Sequence, residues 1–279
     1  VRIGYDRARA KDWQYLFTSH QLAPRERAHV LESFMDFART LGVEDCRLDW
    51  RLDVPPEAYT EAARVTGEAP YLIISPCANP RLRNFRNWSP EGYAAVVDHA
   101  WQQYGIRSVM TGGGSPQERE MGARIKALVS EGAVIDAIGG TSLKGLLAMI
   151  DRAVAVIAPD SGPVHMGNAL NTPVIGLYAT TNPERAAPYC WQHLVVNRYP
   201  DAVKTYLHKQ MDEINWGQRV RHQDAMSLIR AEDVIARLAE LLADTDGVIR
   251  GQSCERLPVA AVSSTDTSSS QSPSARGDA

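Results

Sequence analysis

Between about Pro70 and Ala179, short apolar runs alternate with helix-start signatures, and this alternation constrains the fold more than any other feature of the chain. Tyr71-Leu72-Ile73-Ile74 is an uninterrupted apolar run, as a strand covered on both faces requires. Ser89-Pro90-Glu91 then opens a helix, with serine as N-cap and proline at the first helical position, and Gly105 closes it after Tyr104. Ile106 to Met110 is the next strand, and Ser115-Pro116-Gln117-Glu118 opens a helix ending near Gly132. Val134-Ile135-Asp136 is a third strand, Thr141 to about Arg152 a helix, and Val154 to Ile157 a fourth strand. Ser161 to Leu170 is a short helix, Val174 to Tyr178 a fifth strand, and Leu194-Val195-Val196 the last. Strand–helix alternation with short connections predicts an open, mostly parallel α/β sheet. Such sheets bind ligands outside the carboxyl ends of their strands.

The flanks read differently. Residues 1–67 hold a strand-like start at Val1-Arg2-Ile3-Gly4, a helical stretch from Pro24 to Leu41 closed by Gly42, and one more helix from Pro55-Pro56-Glu57. They read as the end of a preceding domain plus a linker, with the natural beginning of the protein upstream of Val1. Leu228 to Leu242 carries helical apolar periodicity, which puts the sheet-bearing unit at 68–247. From Ser263 to Ala279 the chain is almost devoid of apolar residues, so 248–279 is expected to be a disordered tail.

Composition excludes several classes. A net charge of −3 gives no global basic field for nucleic acid. No apolar run approaches the roughly 18 residues of a membrane span, and the longest candidate, Leu146 to Ala158, is broken by Asp151 and Arg152. Cys46, Cys77, Cys190 and Cys254 are scattered without a C-x-x-C, so neither a disulfide framework nor a metal site is expected, and a reducing cytoplasm fits.

Three loops follow predicted strands. Ser75 to Trp88 carries Arg81, Arg83 and Arg86 with three asparagines just before a helix start. Guanidinium forks match phosphate oxygens, and a helix start adds free N–H donors. A solvated basic loop is the plainer alternative. Thr111-Gly112-Gly113-Gly114-Ser115-Pro116-Gln117-Glu118 fails as a dinucleotide fingerprint, because Gln117 stands where the third glycine belongs. It is either a tight turn or a backbone cradle. Glu118 either complements the helix dipole or holds a ribose hydroxyl pair. The third loop, Ala158 to Ala169, ends a buried strand in Asp160-Ser161-Gly162-Pro163 and passes directly into a helix. Ser161 and Gly162 offer a hydroxyl and N–H groups where a diphosphate gains most, and His165 stands one helical turn on. A G-x-S-x-G elbow is absent, which argues against a serine hydrolase.

Asp160-Ser161-Gly162-Pro163-Val164-His165-Met166, followed by Thr172 to Tyr178 and Thr180-Thr181-Asn182-Pro183, resembles the signature of glycosyltransferase family 9, the ADP-heptose:lipopolysaccharide heptosyltransferases. The Arg83–Ser89 and Gly113–Glu120 loops look like two further motifs of that family, and Arg2 to Arg9 like a segment late in its N-terminal domain. The resemblance covers roughly Val1 to Ala243. It implies a GT-B fold: a Rossmann-like donor domain, here 68–247, facing an N-terminal acceptor domain of which 1–67 would be the remnant. It implies no metal and no cofactor. Arg86 stands where the family has a phosphate-contacting basic residue, and Glu118 matches a residue that grips ribose. Asp160, Ser161, Gly162 and His165 match the loop and helix start around diphosphate and heptose. Ser75, Arg83 and Gly113 complete the substrate-binding set. The family's catalytic aspartate lies upstream of anything matching Val1, so no catalytic residue is assigned.

The implied reaction is inverting transfer of heptose from ADP-heptose to the lipid A-core acceptor, in the cytoplasm with transient contact at the inner membrane. Another nucleotide-sugar enzyme, or a non-catalytic nucleotide-binding fragment, is the alternative.

Overall fold

The computed structural model describes residues 1–50, 52–79 and 84–243. Arg83 and the predicted tail lie outside the described residues. The chain opens with two short strands, β1 (Ile3–Gly4) and β2 (His20–Gln21), that pair in parallel with Ile3 opposite His20. Helices α1 (Val30–Thr40) and α2 (Pro56–Thr66) lead into the sheet. Then follow β3 (Tyr71–Ile74), α3 (Pro90–Tyr104), β4 (Arg107–Met110), α4 (Pro116–Leu128), β5 (Val134–Asp136), α5 (Leu143–Arg152), β6 (Ala155–Pro159), α6 (Gly162–Ala169) and β7 (Val174–Tyr178). Two single-turn helices, α7 (Pro183–Ala186) and α8 (Tyr199–Ala202), flank β8 (Val196–Asn197), and α9 (Ala231–Ala243) ends the described chain.

Six strands form one parallel sheet in the order β5-β4-β3-β6-β7-β8. Helices α3, α4 and α9 pack together, as do α2, α5 and α6. With helices on both faces, the central strands read as unbroken apolar runs: Ile73, Ile74, Val156, Ile157, Val174 and Ile175 are all fully buried. From β3 the chain winds outward through β4 and β5. It then returns through α5 to place β6 on the other side of β3 and continues through β7 to β8. The strand order therefore reverses between β3 and β6, and the loops leaving their carboxyl ends diverge. A crevice opens at that point in sheets of this kind.

Local signals explain most element boundaries. The Ser89 hydroxyl accepts from the Gly92 N–H, and Gly105 adopts the left-handed conformation (φ 64°) that ends α3. Helix α4 stops at Leu128, short of the expected Gly132, because the Asp98 carboxylate on α3 takes the Ser130 N–H at 2.7 Å. Helix α1 starts at Val30 instead of Pro24, because His29 serves as its N-cap. The last strand is displaced to Val196–Asn197, since Tyr189–Leu194 coil into a 3₁₀ turn that buries Trp191 and Leu194. Strand β2 carries no apolar pattern and is held by its pairing with β1.

Candidate active site

The carboxyl ends of β3, β4, β6 and β7 bring the three loops to one edge of the sheet. Arg86 and the turn at Asp160 meet directly across the β3–β6 crevice. One Arg86 Nη1 donates to the Asp160 carbonyl at 2.8 Å and lies 3.7 Å from the Asp160 carboxylate. Asn84 aims the guanidinium by accepting from the Arg86 N–H (3.2 Å) and Nε (3.3 Å). Asn87 in turn pins the loop, accepting from the Ala78 N–H at 2.9 Å. Among the described residues, Arg86 Nη2 has no partner, so half of the fork remains for a ligand.

Ser161 stands at the N-cap of α6 in extended conformation (φ −152°), yet its side chain caps nothing. Its hydroxyl is buried without a hydrogen-bond partner among the described residues. The capping-type side chains that begin α1, α3, α4, α5 and α7 all accept from their own helices. Pro163 lacks an N–H, so the donors at this helix start come from Gly162 and Val164. Gly162 is exposed, and a β-carbon there would meet only the Met166 methyl, at 3.7 Å. The mouth is open, uncapped and electropositive.

Helix α6 is held close to the sheet by Gly167, where a β-carbon would lie 2.7 Å from Val174 Cγ2 and 3.3 Å from Val156 Cγ2. On the same helix, His165 is exposed. Burial of the ring within the surrounding protein nonetheless lowers its pKa, against the opposing pull of Asp160.

The glycine loop is more self-contained. Glu118 and Ser115 form a capping box, and the Glu118 carboxylate accepts from the Gly113 N–H (2.9 Å), the Ser115 N–H (2.9 Å) and the Ser115 hydroxyl (2.7 Å). Desolvation raises the Glu118 pKa, but these donors outweigh it and hold the carboxyl below its usual range. Gly114, at φ +84°, packs back to back with Gly139, leaving no room for a β-carbon on either. Ser75 is buried, and its hydroxyl is shared with Thr111, which ties the ends of β3 and β4 together. Cys77 is pushed up to about 11 by burial, with the Glu118 charge adding, so its thiol stays protonated.

The structure also brings in residues that local sequence patterns do not flag. His29 reaches 158 positions along the chain: its Nε2 donates to the Ala187 carbonyl at 2.8 Å while Nδ1 accepts from the Leu31 N–H. Desolvation lowers its pKa, and nearby His165 and Arg185 push in the same direction. The Trp216 indole donates to the Ala28 carbonyl at 2.9 Å, so the start of α1 docks against the segment that follows α8 as well as the one that follows β7. No local periodicity announces such contacts. Among the described residues, no group of three His, Cys, Asp or Glu could hold a metal ion, and no helix is long and apolar enough to cross a membrane.

The profile of Glycosyltransferase family 9 (heptosyltransferase) matches residues 1–216. The chain belongs to that family. It is 32% identical over 241 residues to the lipopolysaccharide core heptosyltransferase OpsX of Haemophilus influenzae, covering 86% of this chain and 68% of OpsX. It is 28% identical over 235 residues to lipopolysaccharide heptosyltransferase 3 of Escherichia coli, covering 82% of this chain and 64% of that protein. The crystal structure of a family 9 glycosyl transferase from Veillonella parvula superposes with a TM-score of 0.63 at 23% identity, over 82% of this chain and 64% of that one. The E. coli heptosyltransferase WaaC, solved with ADP, gives 0.55 at 20% identity, over 87% of this chain and 66% of WaaC. These likenesses establish the GT-B fold class. This glycosyltransferase chain spans about two thirds of the length of the relatives it matches.

Proposed function

We propose that this chain carries the donor-binding part of an inverting heptosyltransferase, which moves a heptose from ADP-heptose to the lipopolysaccharide inner core. The observation that carries the reading is the uncapped start of α6 at Ser161-Gly162, facing Arg86 across the β3–β6 crevice. A diphosphate there would receive the Gly162 and Val164 N–H groups, the orphan Ser161 hydroxyl and the free edge of Arg86.

In the transfer, an acceptor hydroxyl attacks the anomeric carbon, the bond to the diphosphate oxygen breaks, and negative charge grows on departing ADP. Donors already fixed around that oxygen stabilise the charge without reorganising. Glu118 and Gly113, two strands along the sheet edge, fit the ribose end of the nucleotide. Asp160 carries a carboxylate at the same mouth and suits a sugar hydroxyl better than a phosphate. His165, held neutral by its lowered pKa, can donate a hydrogen bond without adding charge. Residues 68–247 would form the donor unit and 1–67 part of the acceptor side, which supplies the base that deprotonates the acceptor. An acceptor anchored in lipid would bring the enzyme to the inner face of the membrane.

The test is ADP titration by calorimetry together with turnover of ADP-heptose in the full-length protein. Arg86→Ala and Ser161→Ala should each remove on the order of 2–4 kcal/mol of transition-state stabilisation. Unchanged binding and turnover in both variants would refute the reading. A preference for UDP-sugars over ADP-heptose would reassign the donor, and ADP binding without any transfer would make the chain a nucleotide-binding relative.

A further inference from the structure

Among the described residues, half-buried arginines other than Arg185 come with carboxylates. Arg9, Arg25, Arg39, Arg86, Arg198 and Arg237 each have a carboxylate oxygen at 3.7 Å or less. Arg185 is half-buried too, yet among the described residues its guanidinium has neither an acidic partner nor a hydrogen bond. Its position is defined: it sits on α7, its backbone N–H bonded to the Asn182 carbonyl, and its Nε lies 3.5 Å from where a β-carbon on Gly217 would stand. It is close enough to His29 to depress that residue's pKa, and His165 at the donor mouth does the same. A partly desolvated guanidinium without a counter-charge is costly unless an anion arrives from outside.

The strand order says which part of the reactants that anion belongs to, given the donor reading above, on which this inference rests. Along the sheet edge in the order β4-β3-β6-β7, the loops present Glu118, then Arg86, then Ser161, then Arg185. With ribose near Glu118 and the diphosphate between Arg86 and Ser161, the donor's sugar points toward β7, and the acceptor comes beyond it. A heptose carries no charge. We propose that Arg185 grips an anionic group, a carboxylate or a phosphate, on the acceptor sugar, and so sets which hydroxyl is presented to the anomeric carbon.

The experiment uses the full-length protein, first titrated with ADP. Acceptor kinetics are then measured for wild type, Arg185→Ala and Arg185→Lys on three acceptors: native, phosphatase-treated and carboxyl-reduced. The expected result is a roughly 10- to 100-fold fall in kcat/KM for Arg185→Ala on native acceptor, the range of one charge-assisted contact. ADP affinity should be unchanged. The fall should vanish on whichever modified acceptor lacks the gripped group, which names it. Arg185→Lys should recover most of the loss if the group is a phosphate and little if it is a carboxylate held bidentately. Equal losses on all three acceptors, no loss at all, or a parallel drop in ADP affinity would overturn the proposal. Failure of the wild type to bind ADP would overturn the donor reading itself, and is seen before any variant is compared.

Discussion

Replacing Gly167 with valine should injure the fold and the donor mouth together. At Gly167 α6 comes close against the sheet, and Val174 and Val156 beneath it are fully buried. Carbon atoms settle about 3.5–4.0 Å apart, whereas a β-carbon here would stand 2.7 Å from Val174 Cγ2. The two valines are stiff at χ1, so α6 has to lift by roughly 1 Å to relieve the overlap. Overpacking of this kind costs about 1–3 kcal/mol, and valine recovers only about 0.3 kcal/mol in helix propensity over glycine. With a urea m-value of about 3 kcal/mol/M, the midpoint should fall by roughly 0.3–1 M. Lifting the helix also carries the Gly162 and Val164 N–H groups away from the crevice, and a displacement of about 1 Å can cost on the order of 100-fold in turnover. Urea denaturation followed by tryptophan fluorescence, run beside an ADP titration, reads both effects. Gly167→Ala should show the same pattern in milder form. A valine variant with an unaltered midpoint and unaltered ADP affinity would refute this account of how α6 is seated.

Trp88→Phe should lower the melting temperature by several degrees. Trp88 is buried, and its indole N–H donates to the Ile229 carbonyl at 3.0 Å; stranding that carbonyl costs about 1–3 kcal/mol. A melting temperature within a degree of wild type would mean that water replaces the indole. His29 gives a pH signature. Desolvation, chiefly, depresses its folded pKa, so the unfolded chain binds the extra proton first, and the stability held above about 6.5 declines as pH falls below that value. His29→Gln should flatten this acid-side slope in a stability–pH series, and an unchanged slope would assign it to other groups.

How much of this was legible in the sequence depended on how local the cause was. Helix α3 can be read to the residue, because Ser89, Pro90 and Gly105 each act within one turn of the backbone they terminate. The buried strands β3 and β7 coincide with their apolar runs, and the half-exposed edge strand β5 with Val134-Ile135-Asp136. The Asp160–His165 turn stands out as the proposed anion mouth because a strand end, a serine and a glycine adjoin in sequence. Misplaced ends share another origin: Asp98 stops α4 from 32 residues away, and His29 begins α1 while fastened to Ala187. Arg185 is invisible for the converse reason. Its distinction is that, among the described residues, no carboxylate stands beside its guanidinium, and a missing partner leaves no pattern in a string of letters.

The idle hydroxyl of Ser161 sets a trap for anyone who would engineer this protein. A screen that rewards heat resistance alone will favour substitutions near 160–164 that let the helix satisfy its own first turn, since a working cap is worth about 1 kcal/mol. On the proposed donor reading, each such gain would fill the space and quench the charge that a pyrophosphate needs. Hardening should therefore be sought elsewhere in the chain, because on that reading robustness and catalysis compete at this turn for the same few donors.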